Sequence, residues 1–443
     1  MLLLFLILSV VAIILMTVRL KVHPFIALFV VAILYGIAAG MPLELIITSV
    51  NDGFGDTLGK IGLIIVMGII IGAFLENSGG AYSIADKILK IVGRKRVPAA
   101  MGIIGYFVSI PVFADSGFLL LAPLNKSLSK KAGISLSGSA VALALGLTAT
   151  HTLVPPTPGP IAAAGILNAD LGIVMVIGMV IAALSLMVGL LFATRIVART
   201  YIDPNPDVNE SELEERTRTA PGALKSALPV IVPIVLIVLK SLLHPIGQYL
   251  NEASVRILSF IGEPVVALFL GMLLSFLLPA KFDLEMLSTN GWVGKSLVGA
   301  ATIILITGAG GIFGKVLQNS GIAQTLSGSM GSVNLSLWLP FVLAAAIKTA
   351  QGSSTVSLIS TASIMLPLMG PLGFVSEIDK ALVVTAIGCG SMVFSHANDS
   401  FFWVVTQLSG MDVKTGYRLF STGTLILGTS AAVFLFLMHL FIA

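Results

Sequence analysis

Two stretches of polar and helix-breaking residues interrupt apolar segments long enough to cross a bilayer, and they constrain the fold more than any bulk property. The first is ATHTLVPPTPGP at 149–160; the second is FSHANDSFFW at 394–403, about 245 residues later and at a matching place in the second half of the chain. Broken backbone at membrane depth bares N–H and C=O groups that hydrocarbon cannot satisfy, so it persists only against protein or a water-filled cavity. Paired breaks in two halves point to the binding site of a secondary transporter. Composition agrees: 56% of the 443 residues are hydrophobic and only 10% are charged, where a soluble domain carries about 25%. The mean hydropathy is +1.04.

A span needs roughly 20 apolar residues. That rule places about ten, near 2–18, 24–40, 58–76, 137–167, 171–194, 228–243, 255–279, 296–318, 380–408 and 419–441. The run Leu2 to Val18 lacks a preceding basic stretch and a following small-residue cleavage site, and reads as a retained helix. The net charge of +4 does not suggest nucleic acid, because the basic residues sit in short clusters between apolar segments. Arg19 and Lys21, then Lys87, Lys90, Arg94, Lys95 and Arg96, then Arg195, Arg199, Arg216, Arg218 and Lys225 all fall on the cytoplasmic side if both termini face outward. The single Cys389 excludes an intramolecular disulfide, and the five histidines show no local metal motif. No cofactor and no metal are expected.

Residues 97–131 do not read as a span. GRKR precedes them and KSLSKK closes them, so both ends belong on one side. Each limb holds about 15 residues, or ~22 Å of helix, against a ~30 Å hydrocarbon core. The segment is expected to be a re-entrant hairpin with its tip at FADSGF (113–118). Residues 334–370 repeat the pattern with a tip at KTAQGSST (348–355), and lack flanking basic clusters, so they should enter from outside. FLENSGGA (74–81) and VLQNSGIA (316–323) mark a duplication. An odd number of crossings per half makes the second copy inverted. The expected fold is therefore an all-α polytopic membrane protein with two broken helices at the midplane. Residues 1–198 form the first repeat, with hairpin 97–131 and broken helix 137–167. Residues 199–226 form a cytoplasmic linker, and 227–443 the second repeat, with hairpin 334–370 and broken helix 380–408.

Four segments should converge, and interrupted helices turn positive dipole ends toward an anion such as a carboxylate. Ser116, Thr150, Thr152, Thr157, Ser353, Ser354, Thr355, Ser395, Asn398 and Ser400 offer neutral hydrogen-bonding groups, and Gly117, Gly159 and Gly352 would let a ligand approach backbone. Asp115, His151, Lys348, His396 and Asp399 are ionisable groups expected within the bilayer, and such groups are functional candidates by default. Asp115, His151 or Asp399 could carry a coupling ion, His151 and His396 could hold substrate, and Lys348 could pair with a carboxylate. Capping or backbone tying would explain Asp115, His151, His396 and Lys348 equally simply. Glu76, Asn77, Asn319 and Ser320 read as helix-end residues. GAGGIFGK (308–315) fails as a phosphate loop, since Ala309 takes the place of the first required glycine and Val316 that of Ser/Thr.

With PVFADSGF, ATHTLVPPTPGP, AQGSSTVS and CGSMVFSHANDSFFW in hand, the chain resembles the gluconate permease family from HPFIALFVVAILYGIAAGMP (23–42) through its last helices. The resemblance implies proton-linked symport of gluconate or a related sugar acid in a bacterial inner membrane, with a D-serine carrier also in the family. By analogy with the broader ion-transporter superfamily it implies a homodimer working by an elevator-like movement. Members often carry His where Thr157 stands and Arg where Lys348 stands, so glycerate or another hydroxy acid fits as well as gluconate. Sodium in place of protons is the nearest alternative. An intramembrane hydrolase using Asp115, Asp399 or His151, and a passive channel, are distant ones.

Overall fold

The computed structural model describes residues 2–93, 96–204, 220–246, 251–322 and 336–442. Arg94, Lys95, most of the expected linker with Arg216 and Arg218, the first two residues of the second hairpin, and Ala323 of the repeated motif lie outside the described residues. Every regular element among the described residues is helical. The first half comprises α1 (Leu2–Val18), α2 (Pro24–Ala38), α3 (Leu43–Asn77), α4 (Gly80–Val92), α5 (Val97–Val108), α6 (Ala114–Lys131), α7 (Leu136–Leu153), α8 (Pro158–Leu167) and α9 (Leu171–Arg195). The second comprises α10 (Ala223–Ile246), α11 (Glu252–Ile261), α12 (Pro264–Ser275), α13 (Trp292–Asn319), α14 (Trp338–Gln351), α15 (Ser354–Met365), α16 (Glu377–Ser391), α17 (Ser400–Leu408) and α18 (Thr422–Ile442).

Among the described residues, six helical segments are long and apolar enough to cross a membrane, or up to seven if the α11–α12 pair, bent by 65°, is one span. Helices α1 and α2 are shorter apolar helices of 17 and 15 residues. Three sequence expectations shift. The span expected at 58–76 is the C-terminal part of a 35-residue helix that starts at Leu43. The span expected at 255–279 is broken, because Pro264 opens a new helix whose first residue needs no N–H donor. Lys87 and Lys90, expected in a loop, lie on α4, which buries Ala81, Tyr82, Ala85 and Leu89 and pairs Lys90 with Asp86 at 2.6 Å.

Both interruptions break their helices. Between α7 and α8 the chain leaves helical geometry over Val154–Thr157, with Pro158 and Pro160 in the first turn of α8. The second break spans 392–399, between α16 and α17. Both hairpins are helix–turn–helix. In the first, the turn occupies 109–113 and not 113–118: Asp115, Ser116 and Gly117 already belong to the first turn of α6. In the second, α14 ends at Gln351 and Gly352 turns the chain at φ +93°, a left-handed conformation that a side chain would strain.

Small residues let these elements approach closely, as membrane helices do in the absence of a hydrophobic drive between them. A Cβ on Gly53 of α3 would stand 2.6 Å from the Gly311 carbonyl of α13, and one on Gly105 of α5 would stand 2.6 Å from the Leu143 carbonyl of α7. The pairing is reciprocal. Helix α5 packs on α7 as α14 packs on α16, and the second limb of each hairpin packs on the second half of the opposite broken helix, α6 on α17 and α15 on α8. The α7–α8 segment runs through the middle, with 94% of its most apolar window buried.

Candidate functional site

The crossed packing of hairpins and broken helices brings four chain segments around one cavity of about 290 Å³. Phe113, Ala114 and Asp115 come from the start of α6, and Thr148 and His151 from one face of α7 at i and i+3. Lys348, Gln351, Gly352, Ser353, Ser354 and Thr355 come from the second hairpin turn, and Met392, Ser395, Asn398, Asp399, Ser400 and Phe401 from the second break. The starts of α6, α15 and α17 therefore all border it. The first-turn N–H groups of a helix have no partner within that helix, and the dipole makes them attractive to anions.

Lys348 and Asp399 form the electrostatic centre. The Lys348 ammonium lies 2.6 Å from Asp399 Oδ2, with both side chains almost wholly buried, and also donates to the Gly352 carbonyl. Ser395 donates its hydroxyl to the same carboxylate, whose Oδ1 accepts from the Phe401 N–H at 3.1 Å and so caps α17. Unpaired, either charge would be expensive at this depth; paired and hydrogen-bonded, each is tolerated. The Ser400 hydroxyl donates to Asp115 Oδ1 at 3.3 Å, linking the first hairpin to the second break. Lys348 and Asp399 pair with each other, which leaves Asp115 as the carboxyl group on the wall with no basic side chain bonded to it.

Asp115 and Phe113 also border a second cavity of about 360 Å³, together with Ser116, Gly72 and Glu76 of α3, and Lys295 and Gly299 of α13. Asp115 thus stands between two spaces.

Of the residues singled out from the sequence, Asp115, His151, Lys348, Gly352, Ser353, Ser354, Thr355, Ser395, Asn398, Asp399 and Ser400 line the first cavity, and Ser116 lines the second. The others do not border the first. Thr150, Thr152 and Thr157 are buried, their hydroxyls donating to the Gly146, Thr148 and Val154 carbonyls at 3.3, 3.0 and 2.6 Å. Gly117 is closed off by Leu147, and Gly159 by Leu358 of α15, which stand 2.7 and 2.6 Å from where a Cβ would be. The His396 ring lies over Tyr417 and donates Nε2–H to the Thr349 carbonyl at 2.7 Å, tying the break to the end of α14. Asn398 helps in this, donating to the Thr349 and Ala350 carbonyls at 2.9 and 3.1 Å.

Thr148, Gln351 and Met392 line the cavity without having been singled out. Thr148 lies three residues before His151, so the helical period could have found it. Gln351 stands inside the AQGSST motif, where the run of hydroxyl residues beside it carries the stronger sequence signal.

A family model described as GntP family permease matches residues 1–441. A Pseudomonas aeruginosa protein named gluconate permease is 34% identical over 443 residues, covering 98% of this chain and 96% of that one. The inner membrane permease YgbN of Escherichia coli is 35% identical over 441 residues, covering 95% and 94%. Among solved structures, the YdaH transporter of Alcanivorax borkumensis, described as having an unusual topology, is similar with a TM-score of 0.68, covering 95% of this chain and 98% of that one. At 14% identity that likeness shows a shared fold and no more.

Proposed function

The chain belongs to the GntP family of permeases, and from that membership we propose that it carries a small hydroxylated monocarboxylate, gluconate or a related sugar acid, in symport with protons. It is a multi-pass membrane transporter, and the hydrolase reading falls away with the family. The observation that carries the substrate reading is the cavity itself: the N-terminus of α6, which no side chain caps, for a carboxylate, hydroxyls and amides for a polyol, and about 290 Å³. That is near the lower end of the roughly 300–1,000 Å³ typical of ligand sites, and so suits a small solute. The Pseudomonas relative's name agrees with a sugar acid.

Charge supports the proton. The cavity's lysine is already neutralised by Asp399, so an entering carboxylate meets one uncompensated carboxylate, Asp115. Protonating Asp115 removes that repulsion, so proton and substrate each favour binding of the other, as linkage requires. Because Asp115 also borders the second cavity, it can exchange its proton on one side and meet the substrate on the other. Sodium fits less well. The Lys348 ammonium already takes the Gly352 carbonyl and the Asp399 carboxylate, the oxygens a metal cation would seek at this turn.

The same reading takes residues 1–198 and 227–443 as inverted repeats joined by a linker at 199–226, with about ten crossings, two re-entrant hairpins and both termini outside. The reciprocal packing of hairpins on broken helices supports the repeats. A bacterial inner membrane follows the Escherichia coli relative's name, and a homodimer with elevator-like movement follows the superfamily analogy.

The test is uptake of radiolabelled gluconate into proteoliposomes with an imposed pH gradient and no sodium. Uphill accumulation that collapses with the gradient is expected. Uptake that requires sodium at fixed pH overturns the proton assignment, and its absence for every hydroxy acid tried overturns the substrate class.

A further inference from the structure

The wall of the first cavity holds two polar atoms that the protein leaves unpaired. Among the described residues, seven buried side-chain nitrogen or oxygen atoms lack a hydrogen-bond partner, and two of them, His151 Nδ1 and Gln351 Oε1, belong to residues lining this cavity. Most buried polar groups in proteins are satisfied, so each exception calls for an explanation such as water or a ligand. The neighbouring polar groups are differently placed: Asp399, Ser395 and Lys348 bond one another, Asn398 holds the end of α14, and the Ser353 hydroxyl accepts from the Val356 N–H. Gln351 and His151 therefore remain for whatever fills the space.

We infer that Gln351, together with His151, reads the hydroxyl groups of the transported acid. This rests on the sugar-acid reading above and adds the residues that enforce it. The chemistry of the unpaired atoms selects the ligand group. An amide oxygen accepts, an amide NH₂ in the flipped orientation donates, and an imidazole nitrogen does either according to tautomer. A hydroxyl both donates and accepts, so it satisfies every assignment. A second carboxylate oxygen cannot pair with the amide oxygen, and a methylene pairs with nothing. An unhydroxylated acid that fills the cavity leaves both atoms buried and unpaired. A site built to bond a hydroxyl discriminates strongly against the analogue that lacks one.

Gln351 is placed for this by the turn that follows it. Gly352 at φ +93° ends α14 beside the break, where a Cβ would collide with the Asn398 backbone, so Gln351 is held at the cavity wall by a turn that tolerates no other residue. As the reader of hydroxyls, Gln351 sets specificity and leaves the carboxylate contact to the N-terminus of α6.

The experiment compares binding of gluconate and of hexanoate, an acid of equal chain length without hydroxyls, to purified full-length protein, wild type and Gln351→Met. Radioligand displacement in detergent gives the two affinities, and monodisperse elution reports folding. Wild type should prefer gluconate strongly. Gln351→Met should lose of the order of 10- to 100-fold in gluconate affinity, with hexanoate unchanged or improved, so that the preference narrows. Gln351→Asn, which keeps the amide on a shorter arm, should fall between, so a misfolded Met variant still leaves a reading. A preference unchanged in either folded variant overturns the role of Gln351 while leaving the transporter reading intact. Wild type that binds both acids equally, or binds neither gluconate nor any other hydroxy acid tried, overturns both.

Discussion

The two helix breaks occupy matching places in the chain, yet they do different work. The first, Val154–Thr157, is built from proline: its residues are buried, and the hydroxyls of Thr150, Thr152 and Thr157 bond carbonyls within four residues of themselves. The second, 392–399, contains no proline and carries Ser395, His396, Asn398 and Asp399, with its carboxylate shared among an ammonium, a hydroxyl and a backbone N–H. Proline lacks a donor and fixes its own backbone angle, so a proline break is rigid and offers little to a ligand. A break made of polar residues is held instead by contacts across the fold, here Lys348 to Asp399 and the Ser395 N–H to the Thr424 hydroxyl. Breaks that look alike in an apolar sequence thus divide into a buried wedge and a polar segment that borders the cavity.

That contrast can be broken most sharply at Lys348. Replacing it by Met should leave Asp399 buried and unpaired and destabilise the protein by roughly 3–5 kcal/mol. Thermal unfolding in detergent measures this. The double variant Lys348→Met with Asp399→Asn should recover much of the loss, because Asn still caps α17. If the single variant unfolds like wild type, the second break is not held by its ion pair.

Asp115→Asn probes the meeting of the first hairpin with the second break. It keeps a partner for Ser400 but removes the titrating group, so gluconate exchange across proteoliposomes should continue. Uphill accumulation under a pH gradient should fall to equilibration. Accumulation that persists would place the coupling proton elsewhere.

Ser395→Ala removes one of the hydrogen bonds to the Asp399 carboxylate. A bond to a charged group contributes about 1.5–3 kcal/mol, so a drop in melting temperature smaller than that of Lys348→Met is expected. A drop equal to it would make the serine, and not the ammonium, the main support.

The smallest effect belongs to the proline break. Thr157→Val removes a hydroxyl that serves only the Val154 carbonyl, and should alter stability by about 0.5–1.5 kcal/mol with substrate affinity unchanged. A clear loss of affinity in a radioligand assay would mean that the first break reaches the substrate after all.

Much of this was legible in the residues. The breaks and the second hairpin turn were visible because Pro, Gly and charged groups stand out against apolar sequence. Lys348, Asp399 and Asp115 were visible because an ionisable residue in such a segment is conspicuous. Less legible was which hydroxyls face the cavity: Thr148 and Thr150 are two residues apart on one helix, and only their angular position separates wall from interior. The first hairpin turn also shifted, because FADSGF reads as a turn while Ala114 and Asp115 in fact open a helix.

By itself the sequence determined the class of protein, the two interruptions and the ionisable residues at their edges, since hydropathy and backbone chemistry are local properties. Only the tertiary structure decided that Lys348 pairs with Asp399, that His396 ties backbone, and that Gln351 Oε1 and His151 Nδ1 are left without a partner. Those outcomes depend on crossed packing between segments 47 to 285 residues apart, such as His396 with Thr349 at a separation of 47, Lys348 with Asp399 at 51 and Ser400 with Asp115 at 285. A contact between distant segments is set by the shape of the whole bundle, and no local pattern of residue types encodes it.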